Sequence, residues 1–258
     1  MTERATNDRC DRLRSLQVPG DPLVLPNAWD VATARAVVAA GFPVVATTSG
    51  GVAATLGYED HEGAPGHEML AAAARMVAGV AVPVTVDAEA GYGMEAGELV
   101  AALARAGAAG CNLEDTDHAT GAQRDPARHA AWLRRVREAA DAEGYRLVVN
   151  ARIDVFLAAL GAGRPQGDLV GEALGRARAY LEAGADCVYP IALRERDALA
   201  ELIAGTPGPV NVLALARGPS LGELTELGAA RISYGTLLHR DAMARFEGVL
   251  EELRSRGR

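Results

Sequence analysis

Two carboxylates stand one residue apart where an apolar run opens into a glycine turn: VTVDAEAGYG, from Val84 to Gly93, carries Asp87 and Glu89. A second run, GCNLEDTDH, leads through Asn112 to Glu114 and Asp115, and a third, VVNARID, through Asn150 to Arg152 and Asp154. Acids brought to one place repel each other, and a divalent cation relieves that repulsion. Mg²⁺ (or Mn²⁺) suits such a set, because it takes hard oxygen ligands, keeps several waters and needs few carboxylates. An arginine beside the acids adds a planar fork that fits a carboxylate or phosphonate. Together these residues suggest stabilisation of negative charge on a small oxyacid. Plainer readings stand beside this one. Asp87 and Glu89 are either metal-shell acids or solvated loop acids. Glu114 is either a third metal-shell acid or an acid at a helix start. Arg152 either binds substrate or pairs with Asp154 or Glu114.

The elements that would position these groups follow from a recurring phrase of helix end, Gly, small residue and strand. It appears around Gly41, Gly107, Gly184 and Gly228. Each glycine suits the left-handed helix stop, and each run after it suits a parallel strand buried on both faces. Further strands are expected at 23–25, 82–87, 146–151 and 210–214. Helices are expected at 28–40, 67–79, 95–106, 126–142, 168–183, 195–204 and 219–228. Eight strands alternating with helices predict a (β/α)₈ TIM barrel, with a doubly wound open sheet as the competing fold. No linker divides the chain, so one domain over 1–258 is expected. A helix at about 6–17 would close the barrel bottom, and a helix over 237–256 would mediate oligomerisation. In a barrel, chemistry gathers at the C-terminal strand ends, where Asp87, Glu89, Asn112, Glu114, Arg152, Tyr189, Asn211 and Ser233 fall. The alternation of side chains along a strand puts Asp87 with Glu89, Asn112 with Glu114, and Asn150 with Arg152 on shared faces.

The 115–128 segment is rich in Asp, Thr, Gly and Arg and almost without apolar residues, which predicts a mobile gate. His118 is its candidate for proton transfer, with Asp115 and Asp117 expected to raise its pKa; the plainer reading is a solvated residue near a helix start. The 237–256 segment carries Leu238, Met243, Phe246, Val249, Leu250 and Leu253 at helical spacing, a stripe that needs a covering surface. That surface is either its own barrel or another subunit of a homodimer or homotetramer. The net charge of −8 and the absence of a basic run argue against nucleic acid as a partner. Three unpatterned cysteines read as reduced thiols of a cytoplasmic protein. No apolar stretch suits a membrane span.

In order and spacing, LPNAWDVATARAVVAAGFPVVATTSGGVAATLGYED, VPVTVDAEAGYG, GCNLEDTDH and VVNARIDVF resemble the isocitrate lyase/phosphoenolpyruvate mutase superfamily over essentially the whole chain. The resemblance implies a barrel whose terminal helix swaps between subunits. It also implies Mg²⁺-dependent cleavage or formation of a C–C or P–C bond next to a 2-oxo acid, through an enolate. It makes Asp87 the acid nearest the metal, with Glu89 and Glu114 in its shell and Asp60 orienting metal water near the substrate. It places Thr48, Ser49 and Gly50 on the segment that holds the substrate carboxylate, with Arg152 as substrate-binding arginine; Asn211 is counted with the substrate-binding set. The departure is in the loop after Glu114. Isocitrate-type lyases carry Lys-x-Cys-Gly-His there and phosphonate mutases a Lys and an Asn, whereas this chain reads EDTDHATGAQRDPARH. The altered loop leaves a second class open, a barrel without catalysis that serves as a metabolite-binding or assembly subunit.

Overall fold

The computed structural model describes residues 2–160 and 163–256; the outer bounds of the expected domain, 1 and 258, lie outside them. Helix α1 (Glu3–Ser15) precedes β1 (Leu23–Leu25) and β2 (Asn27–Ala28), which Pro26 separates. Then follow α2 (Val31–Ala39), β3 (Val45–Thr47), α3 (Ser49–Leu56), α4 (Gly66–Gly79), β4 (Val84–Asp87), α5 (Ala96–Ala106) and β5 (Gly110–Glu114). A short hairpin of β6 (Thr116–Asp117) and β7 (Ala122–Gln123) leads into α6 (Pro126–Ala142) and β8 (Val148–Ile153). The rest comprises α7 (Val155–Leu160), α8 (Val170–Glu182), β9 (Cys187–Pro190), α9 (Arg196–Gly205), β10 (Asn211–Leu213), α10 (Leu221–Glu226), β11 (Arg231–Ser233) and α11 (Leu237–Arg256).

The expected barrel is present. One parallel sheet runs β2-β3-β4-β5-β8-β9 and another β1-β11-β10. A parallel bridge between Val188 and Val210 joins them on one side. On the other side β1 and β2 form one strand whose two halves pair with β11 and β3. Proline has no N–H for a ladder, which accounts for the break at Pro26. Every residue of β3, β5, β8 and β9 is buried, as strands covered on both faces require. Gly41, Gly107, Gly184 and Gly228 all have positive φ, between 72° and 101°, so the recurring phrase is a series of left-handed helix stops.

Helix α1 covers the N-terminal end of the barrel. It buries Cys10 and Leu13, and Arg14 bonds Asp186 at 2.7 Å and the carbonyls of Arg146 and Leu147. The three cysteines are free and buried. No helix among the described residues is long and apolar enough to cross a membrane. Three elements depart from the sequence reading: α3 and α7 lie outside the expected helices, and the segment after Glu114 is an anchored hairpin rather than a mobile gate. All three lie at the C-terminal end of the barrel, where they build the site.

Candidate active site

A cavity of about 360 Å³ opens at the C-terminal strand ends. Asp87, Glu89, Asn112, Glu114, Arg152 and Tyr189 form part of its wall, joined by Thr48, Ser49, Asp60 and His61 from the β3 side. Leu157, Ile191, Leu213, Leu215 and Leu237 make the opposite side apolar, with Arg194 and Arg240 among the lining groups.

Asp87 closes β4 and faces the start of α3. Its Oδ2 accepts from the Ser49 N–H at 3.0 Å, and its own N–H donates to Thr47 Oγ1 at 2.8 Å. A helix N-terminus carries partial positive charge, so α3 stabilises this carboxylate. Asp87 Oδ1 is buried with no hydrogen-bond partner, and so is Oδ1 of Asp60. Asp60 comes close because residue 50 is glycine: a Cβ there would lie 2.6 Å from Asp60 Oδ2. Gly50 therefore serves the site by making room for an acid.

Glu89 reaches the cavity by a different route from strand alternation. The chain turns after Asp87, and Glu89 has φ 48°, outside the extended region. The turn stays tied to β5, since the Glu89 carbonyl accepts from the Glu114 N–H at 2.9 Å. The Glu89 carboxylate accepts from the Glu62 N–H at 2.7 Å. Burial pushes its pKa up to about 8, and the charges of Asp87, Asp60 and Glu114 add to the rise.

Glu114 lies between His118 and Arg152. Its Oε1 meets His118 Nε2 at 2.5 Å, and its Oε2 pairs with Arg152 Nη1. Burial raises its pKa to about 7 against the opposing pull of Arg152 and His118. Arg152 spends its fork on the protein: Nε and Nη2 bond the two oxygens of Asp154 at 2.7 and 3.1 Å. The plainer reading of Arg152, as partner to Asp154 and Glu114, describes this geometry. It still lines the cavity, but not as an open fork.

Two expectations about the segment after Glu114 change. The pKa of His118 is raised by its hydrogen bond to Glu114, not by Asp115 or Asp117. Asp115 is buried on Arg176, Tyr180 and the Asp154 N–H, while Asp117 Oδ1 accepts from the Ala119 N–H. Nor is the segment loosely anchored. Thr116 Oγ1 bonds Asp154 at 2.6 Å, the Arg124 N–H donates to the Asp115 carbonyl at 2.7 Å, and Arg124 Nη1 reaches the Ala90 carbonyl. His118 lines a neighbouring cavity with His61, whose ring centroid is 5.4 Å away. Glu114 therefore stands between His118 and the main cavity.

On the substrate side, Thr48, Ser49 and Gly50 are the cap and first turn of α3, and Thr48 Oγ1 meets Thr236 Oγ1 at 2.9 Å. Asn211 does not line the cavity. It is fully buried and accepts from Ser233 Oγ at 3.3 Å. Beside it in the barrel interior, Arg231 is 1% exposed and holds Asn112 Oδ1 through Nη2 at 3.2 Å. The sequence reading missed His61, Arg194, Arg231 and Arg240. His61 adjoins Asp60, a usable signal; the arginines lie far in sequence from the acids of the site.

The donors present are oxygens, and two buried carboxylate oxygens on cavity-lining residues lack partners. Burial and mutual repulsion raise the pKa of two more acids. These features fit a hard cation. Among the described residues no three His, Cys, Asp or Glu side chains converge closely enough to hold one ion together. Asp87, Glu89 and Glu114 are thus not a three-ligand set in direct contact with one ion. Mg²⁺ fits this arrangement, being held commonly by one or two carboxylates with water completing its shell.

The sequence profile of phosphoenolpyruvate phosphomutase matches residues 13–254. A crystal structure from Burkholderia cenocepacia J2315, named as a candidate phosphonomutase, superposes with TM-score 0.90 at 42% identity, covering 95% of this chain and 100% of that one. The 2-methylisocitrate lyase of Salmonella typhimurium is 31% identical over 81% of this chain and 68% of its own length. The chloroplastic carboxyvinyl-carboxyphosphonate phosphorylmutase of Arabidopsis thaliana is 32% identical over 72% of this chain and 56% of its own.

Proposed function

We propose that this chain, which belongs to the phosphoenolpyruvate phosphomutase family, is a Mg²⁺-dependent enzyme that cleaves or forms a C–C or P–C bond next to a 2-oxo acid. The relatives are lyases and mutases, which supports an enzyme of that general type. The observation that carries the finer reading is Asp87: a buried carboxylate with one oxygen on the N-terminus of α3 and the other without a partner, in a cavity shared with Asp60, Glu89 and Glu114.

Asp87 would hold the ion, with Glu89, Glu114 and Asp60 around its water shell. When bound, Mg²⁺ supplies Lewis-acid stabilisation of charge on the substrate's oxygens. The chain's own residues do the rest. The first turn of α3 presents backbone N–H groups to the substrate carboxylate, the anion for which a helix start is suited. Thr48 and Thr236 fix that turn through their hydroxyl contact. The hydrogen bond between His118 Nε2 and Glu114 Oε1 lies one carboxylate away from the cavity, so this pair is the group that would hold a proton beside the reacting centre. Arg152 keeps Glu114 and Asp154 in place and offsets their charge. The leucine-rich side excludes water from the reacting centre. The complete acid set supports this reading over a barrel without catalysis.

Two measurements test it. Mn²⁺ titration followed by electron paramagnetic resonance should give a bound ion in the wild-type protein and a much weaker one in Asp87→Ala; equal affinity would refute the assignment. A screen of 2-oxo acids and phosphonopyruvate with Mg²⁺ should release pyruvate or phosphate from one of them. Silence across the screen, with Mn²⁺ bound, would favour the metabolite-binding alternative.

A further inference from the structure

Behind the turn that carries Glu89 and the hairpin that carries His118 lies another cavity, of about 350 Å³. Helix α6 supplies one wall. Arg128, Trp132 and Arg135 line it, spaced four and then three residues along the helix, and so share one face. Arg124 joins them, its guanidinium carbon 5.8 Å from the Trp132 ring centroid. Among the described residues none of these arginines has a carboxylate within ion-pair distance. Two acids also line the cavity: Glu95, whose N–H donates to Glu98 Oε2 at 3.2 Å at the start of α5, and Asp117, whose Oδ1 accepts from the Ala119 N–H. His129 also lines the cavity, is fully buried, and has no partner on either ring nitrogen.

We propose that this cavity is a second ligand site, for a small organic molecule bearing an oxyanion, either carboxylate or phosphate. Guanidinium forks match the oxygens of both groups. A neutral imidazole adds one donor and one acceptor. The volume suits a small metabolite. The inference does not depend on the reaction proposed above. Its position has a consequence: Ala90 and Gly93 follow Glu89 in its turn and Asp117 adjoins His118, so a ligand here touches the back of the turn that brings Glu89 to the main cavity and of the hairpin that holds His118 against Glu114.

The chain has two tryptophans, Trp29 and Trp132, so Trp29→Phe leaves a single reporter inside the proposed site. Citrate and inorganic phosphate would each be titrated at constant ionic strength, which removes general screening as a cause. A saturable change in Trp132 emission is expected with at least one probe. Affinity should fall about tenfold or more when Arg128→Gln and Arg135→Gln are added, each removing a charge-assisted contact. A response to citrate alone assigns a polycarboxylate, and one to phosphate alone a phosphate ester. Both arginines are exposed, so the fold should survive, and an unchanged melting temperature checks this. No saturable change with either probe, or equal affinity in the arginine variant, would overturn the proposal.

Discussion

At the residue scale, the site depends on charges that compensate one another out of water. Arg152 is 7% exposed and serves two buried carboxylates, Glu114 and Asp154. Removing one partner of a buried pair leaves an uncompensated charge, so Arg152→Met should destabilise the protein by about 3–5 kcal/mol, read by denaturant unfolding. Arg152→Lys keeps the charge but cannot bridge both acids. Its kcat/KM should fall by roughly 10²-fold, about 3 kcal/mol of transition-state stabilisation. Full activity in the Lys variant would leave Arg152 with a structural role alone. His129 gives a pH prediction. Burial lowers its pKa from 6.5 to about 3, with Arg124 and Arg176 adding to the fall and Asp154 opposing it, while Tyr180 packs edge-on to its ring. The unfolded chain therefore takes up this proton first as the pH falls. The associated stability is present above pH 6.5 and is lost between 6.5 and about 3, up to about 5 kcal/mol. His129→Phe keeps an aromatic ring against Tyr180, so its unfolding free energy should fall less between pH 8 and pH 5 than that of the wild type.

At the element scale, α3 does the positioning. Its N-terminus holds Asp87, and its second residue is small enough to admit Asp60. Gly50→Ala separates the two roles. In a helix, alanine is favoured over glycine by about 1 kcal/mol. The added methyl would nonetheless displace the Asp60 carboxylate, which is the end of a side chain and can move aside. The variant should melt at or near the wild-type temperature yet lose at least about tenfold in kcat/KM, the scale of one misplaced polar group. Unchanged turnover would remove Asp60 from the site. The helix was hidden because SGGVAATL reads as a turn: two glycines weaken helix propensity, and only Asp87, far off in sequence, supplies its cap. The β6–β7 hairpin was hidden for a similar reason. Its polar composition suggests freedom, but Asp154 and Ala90 hold it from other elements.

For the whole molecule, α11 is the open question. None of its 20 residues is buried, and it exposes Phe246 at 55% and Leu253 at 58%, with Met243 and Leu250 also exposed. Its start is tied to the barrel mouth: Asn27 Oδ1 accepts from the N–H groups of Tyr234 and Gly235, and Trp29 meets the His239 ring edge-on at 5.0 Å. A long amphipathic helix with an uncovered stripe calls for a partner surface. We therefore expect a homodimer or homotetramer in which this face meets a second copy. Light scattering at micromolar concentration should give that mass, and Phe246→Glu with Leu250→Glu should shift it toward the monomer. A monomeric wild-type protein would refute the assembly.

The barrel was legible in the sequence because its signals are local. Buried runs, glycine stops and acids at strand ends each depend on a few consecutive residues and on the handedness of L-amino acids. That also identified Asp87, Glu89 and Glu114 as residues of one mouth. Tertiary structure decided the pairings, since a side chain's partner is set by distance in space and not along the chain. Arg152 could face a substrate or Asp154, and only packing filled its fork. His118 stands beside Asp117 in sequence but bonds Glu114, because the hairpin folds it back. Asn211 opens β10 rather than closing it and so sits beneath the cavity, and Arg231, which opens β11 beside it, reaches Asn112 in the barrel interior, because position along the strand sets the depth at which each side chain enters.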